Sequence, residues 1–240
     1  MFFVNTSLLI LFLSLTIMVV FVNQDKLKIN DKYEFNKKYK KIIIDRLYSS
    51  LEDYNRIYIV RFDLRFPVII NDDCDDGIYD YSVVKNNKVI TRFFSSVKSK
   101  IKAELNRRYS ESMKRYKAKL VKHKPKKYKH GMGYVWVKEM GEESKRKHYH
   151  VLMFFNRDCF FYCGAGSRLR NIIDSAWNSA LHLSDGKNLV HYCSFLYDSL
   201  NIYDESIEEK KKIMLDYYFY LTKEYTKTYD VKERSIGYSK

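Results

Sequence analysis

The sequence predicts an α+β domain behind an uncharged hydrophobic segment, and three observations carry that expectation. Two apolar runs, Tyr134–Glu139 and His148–Phe155, flank a charged, Gly141-containing stretch that reads as a hairpin loop, so the strands pair antiparallel. Three other stretches carry helical rather than alternating periodicity: 91–119, 167–183 and 208–226. About 215 residues follow the hydrophobic segment, interrupted by only two prolines, Pro67 and Pro125, with no repeat and no Gly/Ser linker. That length supports one substantial core.

Taken in order, Met1–Asn23 contains no charge, and Leu8–Val22 is nearly continuous aliphatic and aromatic residues, long enough to span a bilayer as a helix. Lys26, Lys28, Lys32 and the 37–41 cluster follow at once, so a membrane anchor here would leave the rest of the chain in the cytoplasm. The segment lacks the basic start and small-residue cleavage site of a signal peptide. Translation from a downstream start would remove it altogether. Residues 24–54 form a basic region in which Asp31–Tyr54 reads as an amphipathic helix with Ile42, Ile43, Leu47 and Leu51 inward. The remaining 55–240 reads as the main domain. Its first strand is Ile57–Phe66, followed by an acidic turn at Asn71–Gly77 and a long basic helix over 91–119.

After the hairpin, 167–183 forms a helix with Ile173, Ala176, Trp177 and Ala180 inward. Asn188–Phe195 is a further strand carrying His191 and Cys193. Residues 208–226 form the last helix, with an apolar stripe of Met214, Tyr218, Leu221 and Tyr225. Cys74, Cys159, Cys163 and Cys193 match no zinc-ribbon spacing and read as reduced packing residues. His182 and His191 read as surface or core polar groups rather than ligands.

The chemistry concentrates at His148-Tyr149-His150. Alternate side chains of a strand share a face, so the two imidazoles stand close enough to share a metal ion. The same pair also fits an ordinary polar cap at a strand end. Across the hairpin, Glu139 can lie opposite His148 and diagonal to His150, or be a solvated hairpin end. Two imidazoles and a carboxylate make a mixed N/O set for a divalent cation, Mg²⁺ or Mn²⁺ ahead of Zn²⁺, with positions open for water or a phosphate oxygen. In the last helix, Tyr220 and Lys223 fall off the apolar stripe and are neighbours on another helical face. A nearby ammonium favours the phenolate that a nucleophilic tyrosine needs. In a chain with 22 tyrosines, a Tyr near a Lys also fits plain surface composition.

The chain resembles the HUH endonucleases that initiate rolling-circle replication, through H-x-H on a strand followed some seventy residues later by Y-x-x-K. More narrowly, Arg61-Phe62-Asp63-Leu64-Arg65, His148-Tyr149-His150-Val151, Ala176-Trp177 with Ala180-Leu181, and Tyr220-Leu221-Thr222-Lys223 look like the inovirus-type replication protein family that includes the YagK/YfjJ C-terminal domain. The resemblance covers about residues 55–240. It implies a central antiparallel sheet carrying the histidines, flanked by helices, with the tyrosine helix packed across it. Carried over, it makes His148 and His150 metal ligands, Glu139 the third ligand, Tyr220 the nucleophile and Lys223 a helper at the scissile phosphate. Tyr217 lies one turn before Tyr220, where phage relatives carry a second tyrosine, although the spacing of three departs from their usual four. The strand bearing Arg61, Asp63 and Arg65 on one face receives no catalytic role beyond DNA contact.

Bulk charge agrees with a nucleic-acid partner. Lys and Arg number 44 against 29 acidic residues. Residues 98–129 hold 14 basic and two acidic side chains, an excess of 14 − 2 = +12 out of the chain's +15. Lys98, Lys102, Arg107, Arg108, Lys114, Arg115, Lys122, Lys126 and Lys127 are therefore candidate phosphate contacts, and Tyr109, Tyr116 and Tyr128 candidate stacking platforms. A solvated helix face with a basic loop would carry the same residues.

The function expected is metal-dependent nicking and strand transfer on single-stranded DNA at a replication origin of a phage-like or mobile element, through a 5′-phosphotyrosine. Whether a host helicase joins the reaction is left open by the sequence. Two other classes fit parts of the chain: a noncatalytic basic nucleic-acid binder, and a membrane-associated phage accessory protein that depends on residues 1–23.

Overall fold

The computed structural model describes residues 34–67, 88–128, 131–141, 146–184, 186, 188–195, 198–224 and 234–239. The expected bilayer span at 1–23, the acidic turn at 71–77, Cys74, Lys129 and Tyr225 lie outside these residues. Among the described residues, no helix is long and apolar enough to cross a membrane.

The fold is α+β. A six-stranded antiparallel sheet runs in the order β4-β1-β3-β2-β6, with β5 on the same edge of β1 as β4 but further along it. The strands are β1 (Arg56–Arg65), β2 (Met132–Met140), β3 (Lys147–Asn156), β4 (Val190–Tyr192), β5 (Ser199–Asn201) and β6 (Ile236–Tyr238). Helices α1 (Lys37–Asp53), α2 (Val89–Lys117), α3 (Arg168–Ala180) and α4 (Ile207–Phe219) cover its two faces. The central strands β1 and β3 are buried on both sides, which is why His148–Phe155 is apolar without alternation.

Register decides which side chains meet. Tyr149, Val151, Met153 and Phe155 of β3 point to one face, with Phe62 and Leu64 of β1, under α2 and α3. Phe93, Phe94, Val97 and Ile101 of α2 and Leu169, Ile173, Ala176 and Trp177 of α3 complete that core. Trp177 is fully buried and its indole N–H donates to the Arg65 carbonyl, 2.8 Å away, so its polar atom is satisfied. The other face carries Ile57 and Ile59 of β1, Val135 and Val137 of β2, and Leu152 and Phe154 of β3. It is covered by α1, through Ile43, Leu47 and Leu51, and by α4, through Met214 and Tyr218. Helix starts follow local chemistry: Asn36 accepts from the Tyr39 amide at α1, and Ser167 from the Arg170 amide at α3.

The last helix differs from the expectation. It ends at Phe219 and gives way to a 3₁₀ turn at Tyr220–Thr222. The Thr222 hydroxyl donates to the Phe219 carbonyl, and Thr222 and Glu224 pair with the extended segment before α1 through Asn36 N–H to the Thr222 carbonyl and Glu224 N–H to the Glu34 carbonyl. A β-branched hydroxyl side chain that returns to the backbone and a strand-like bridge of Phe35 to Lys223 together end the helical turn. The strand expected over 188–195 is confined to three residues, and β5 and β6 are short edge pieces that apolar periodicity does not mark.

Candidate metal centre

β2 and β3 place Glu139 opposite His148, and Val137 opposite His150, in the expected hairpin register. His148, His150 and Glu139 share the sheet face that α1 and α4 cover, at the end where β3 begins. Their ligand atoms all lie within 4.8 Å of one another. His148 Nε2 is 3.2 Å from His150 Nε2, and His150 Nε2 is 3.2 Å from Glu139 Oε2. Neighbouring ligands on one cation, with bonds of about 2.1 Å, stand about this far apart.

Hydrogen bonding fixes which nitrogens face the cluster. The Asp63 carboxylate, 2.5 Å from His150 Nδ1, can only accept, so that nitrogen carries the proton. The Arg146 carbonyl, 3.4 Å from His148 Nδ1, imposes the same tautomer more weakly. Both Nε2 lone pairs therefore point at each other and, for His150, at a carboxylate oxygen. Lone pairs so arranged require either a proton or a cation between them, and the donor set fits a divalent cation with room for further oxygen ligands.

The titration shifts follow. Burial opposes a charge on His150, but hydrogen bonds to Asp63 and Glu139 outweigh it and raise its pKa above 6.5. Burial and the neighbouring His150 lower that of His148. Burial works against ionisation of Asp63, yet the hydrogen bond and charge of His150, with help from Arg61, hold its carboxyl below the usual range.

Two of the residues that complete this centre, Asp63 and Arg61, lie on the strand that received no catalytic role from sequence. Asp63 pairs in register with His150 on one side and His191 on the other. Arg61, two residues back on the same face, lies 4.6 Å from the ring centroid of Tyr217 and 5.7 Å from that of Tyr220. Its Nε is buried and has no hydrogen-bond partner among the described residues. The available signal was a pair of charged residues at alternate positions inside an otherwise apolar strand.

The two tyrosines differ. Tyr217 stacks on Phe195 with centroids 4.0 Å apart and planes at 11°, and its hydroxyl lies 3.5 Å from the Ser194 carbonyl. Burial raises its pKa, against the lowering effect of Arg61. Tyr220, on the 3₁₀ turn, is 36 % exposed. Lys223 is buried at 2 % exposure, and its Nζ lies 3.0 Å from the centroid of the Tyr220 ring. The expected Tyr220–Lys223 neighbour relation is present, but it arises from the turn rather than from an α-helical face.

The YagK/YfjJ C-terminal domain family matches residues 20–239. The chain belongs to that family. Two relatives from Escherichia coli (strain K12) are named as uncharacterized: YagK, 30% identical over 194 residues (78% of this chain, 84% of the relative), and YfjJ, 29% identical over 199 residues (80% and 88%). No solved structure matches the chain.

The candidate DNA-contacting residues occupy a different place from the histidines. Lys98, Lys102, Lys114, Arg115, Lys122, Lys126 and Lys127 are exposed on α2 and the segment after it. Arg107 and Arg108 are half-buried, paired with Glu104, and Arg107 also with Glu111. Because α2 packs on the Tyr149 side of the sheet, this basic run lies behind the face that carries His148 and His150. Cys159, Cys163 and Cys193 are free thiols, and burial pushes Cys163 up to about 12, which agrees with packing rather than reactivity.

Proposed function

We propose that this chain is a divalent-cation-dependent protein of the HUH kind that nicks and rejoins single-stranded DNA, initiating rolling-circle replication of a phage-like or mobile element. The observation that carries this reading is the Glu139–His148–His150 cluster on the same sheet face as α4 and the turn bearing Tyr220, linked to both tyrosine rings through Asp63 and Arg61 on β1.

In this reading the Tyr220 oxygen attacks a phosphodiester phosphorus. The bond from phosphorus to the 3′-oxygen breaks, the phenol proton passes to solvent, and the departing oxygen takes up a proton as a free 3′-hydroxyl. The 5′-phosphate remains esterified to the tyrosine, conserving the bond for rejoining without ATP. Glu139, His148 and His150 would hold Mg²⁺ or Mn²⁺, which supplies Lewis-acid polarisation of a non-bridging oxygen. Asp63 keeps His150 in the tautomer that presents Nε2. Lys223, on the face of the Tyr220 ring, stabilises negative charge on the phenol oxygen. Arg61 sets its guanidinium charge beside both tyrosine rings, where it favours a phosphate between them. Tyr220 is the better nucleophile candidate because Tyr217 is clamped against Phe195 and burial holds its proton on.

The test is an adduct assay on a library of single-stranded oligonucleotides with Mn²⁺. The wild-type chain should form a covalent adduct that EDTA prevents. Tyr220→Phe should abolish the adduct and leave oligonucleotide binding within a few-fold of wild type. An adduct that persists in Tyr220→Phe moves the nucleophile to Tyr217 or elsewhere, and the absence of any adduct across the library ends the proposal.

A further inference from the structure

At the end of the sheet remote from the histidines, α2 and the segment after it enclose a hollow of about 150 Å³. Its aromatic lining is Tyr109 and Tyr128, and Lys126 and Lys127 stand at the same place. Asn106 and Ser112 add polar groups that can read an edge. A cavity of about this volume accepts one aromatic ring. Its position is fixed by Arg108, whose guanidinium donates to the Cys159 carbonyl at 2.9 Å, just beyond the end of β3. From His148 to Asn156 the strand advances about 26 Å at about 3.3 Å per residue, and α2 is on the opposite face. No phosphate can touch the metal centre and this hollow together.

The electrostatics favour a polyanion here. The run's two acids are already engaged, Glu104 by Arg107, Arg108 and Arg168, and Glu111 by Arg107, and Asp158, the acid that lines the hollow itself, is paired with Arg56. The exposed lysines are thus left to dominate the local field. Tyr128 is 42 % exposed, with Lys126 Nζ 5.6 Å from its ring centroid. An aromatic ring beside ammonium groups offers a base-stacking face and a phosphate contact in one place, which suits an unpaired strand better than a duplex whose bases are already stacked.

We infer that this chain has a second DNA-binding surface: the hollow lined by Tyr109 and Tyr128 takes one base of single-stranded DNA, with the flanking phosphates on Lys126 and Lys127. The choice of DNA as the strand rests on the proposed function, whereas the surface itself does not. A strand held at both places must pass round the edge of the sheet, so the rear surface retains DNA without presenting its scissile phosphate.

The experiment is fluorescence anisotropy of the full chain with labelled oligothymidylate in EDTA, across a salt series. Lys126→Gln with Lys127→Gln should flatten the plot of log affinity against log salt by about 1.4, at about 0.7 per lost phosphate contact. Tyr128→Ala should weaken binding between about fivefold and a hundredfold, and Tyr128→Phe should restore it. Affinity and slope unchanged in both variants would overturn the inference. So would equal binding of a duplex that ignores Tyr128→Ala, which marks a duplex-backbone surface, or tighter binding of oligouridylate, which reassigns the strand to RNA. Because the assay contains no cation and reads no cleavage, a chain that binds here but never nicks leaves this inference standing and ends the other.

Discussion

His148 and His150 are two residues apart on one strand, share a face, and are pushed in opposite directions. His150 is raised because Asp63 and Glu139 offset its burial, and His148 is lowered by burial and by His150. In the unfolded chain both titrate at about 6.5. A raised group stabilises the fold below its unfolded pKa and loses that contribution as pH rises through its folded pKa; a lowered histidine loses stability as pH falls from its unfolded pKa toward its folded one. Without metal, the pair's contribution should therefore peak near pH 6.5, falling above it through His150 and below it through His148. Thermal melts in EDTA at closely spaced pH values test this. His150→Gln should remove the decline on the alkaline side and His148→Gln the decline on the acid side, and a flat profile that neither variant changes would refute the paired assignment. Sequence located three members of the cluster because H-x-H and hairpin pairing are local patterns. Asp63 escaped because its role depends on pairing with His150, 87 positions away, and no local pattern reports that register.

At the scale of single elements, β6 makes a sharp demand on its partner. Gly237 sits opposite Trp136, and a Cβ built at 237 would come within 2.5 Å of three indole atoms, well inside van der Waals contact. The indole in turn meets the Tyr149 ring edge-on, with centroids 5.5 Å apart and planes at 90°. Glycine is needed there so that the ring can lie against the strand backbone. Gly237→Val should cost about 1–3 kcal/mol by displacing Trp136. A lower denaturation midpoint at unchanged slope would show it, with a shift in tryptophan emission, whereas an unchanged midpoint would mean that the indole lies elsewhere. The long helices and the hairpin were legible because their periodicities persist over many residues. Of the three-residue strands, β4 was expected at greater length and β5 and β6 were not legible, since so short a run holds barely one alternation. The end of α4 was misplaced because the apolar stripe continues through Leu221 although the backbone has already left the helix; the pairing of Thr222 and Glu224 with residues before α1 decides it.

The whole molecule joins segments far apart in the chain: β1 pairs with β3 across about ninety residues, and β6 returns from the C-terminus to β2. Such pairings close large loops and set the order of the sheet, and they are invisible to local pattern. The packing of α2 on the Tyr149 face is why the basic run, conspicuous in composition, lies behind the sheet rather than over the histidines. The same topology gives the cation site a global effect. The candidate ligands come from β2 and β3, and Asp63 of β1 braces His150, so an ion bound there would tie together three adjacent strands at the centre of the sheet. An ion that binds only the folded chain stabilises it by about 2.7 kcal/mol at a hundredfold excess over its dissociation constant. For a domain of this size that should raise the melting temperature by about 5–10 °C, with a continued rise as Mn²⁺ increases. EDTA should reverse the shift completely, and Glu139→Gln should shrink it by weakening the site. A melting temperature indifferent to Mn²⁺ across millimolar concentrations would show that the lone pairs of His148 and His150 are bridged by a proton alone.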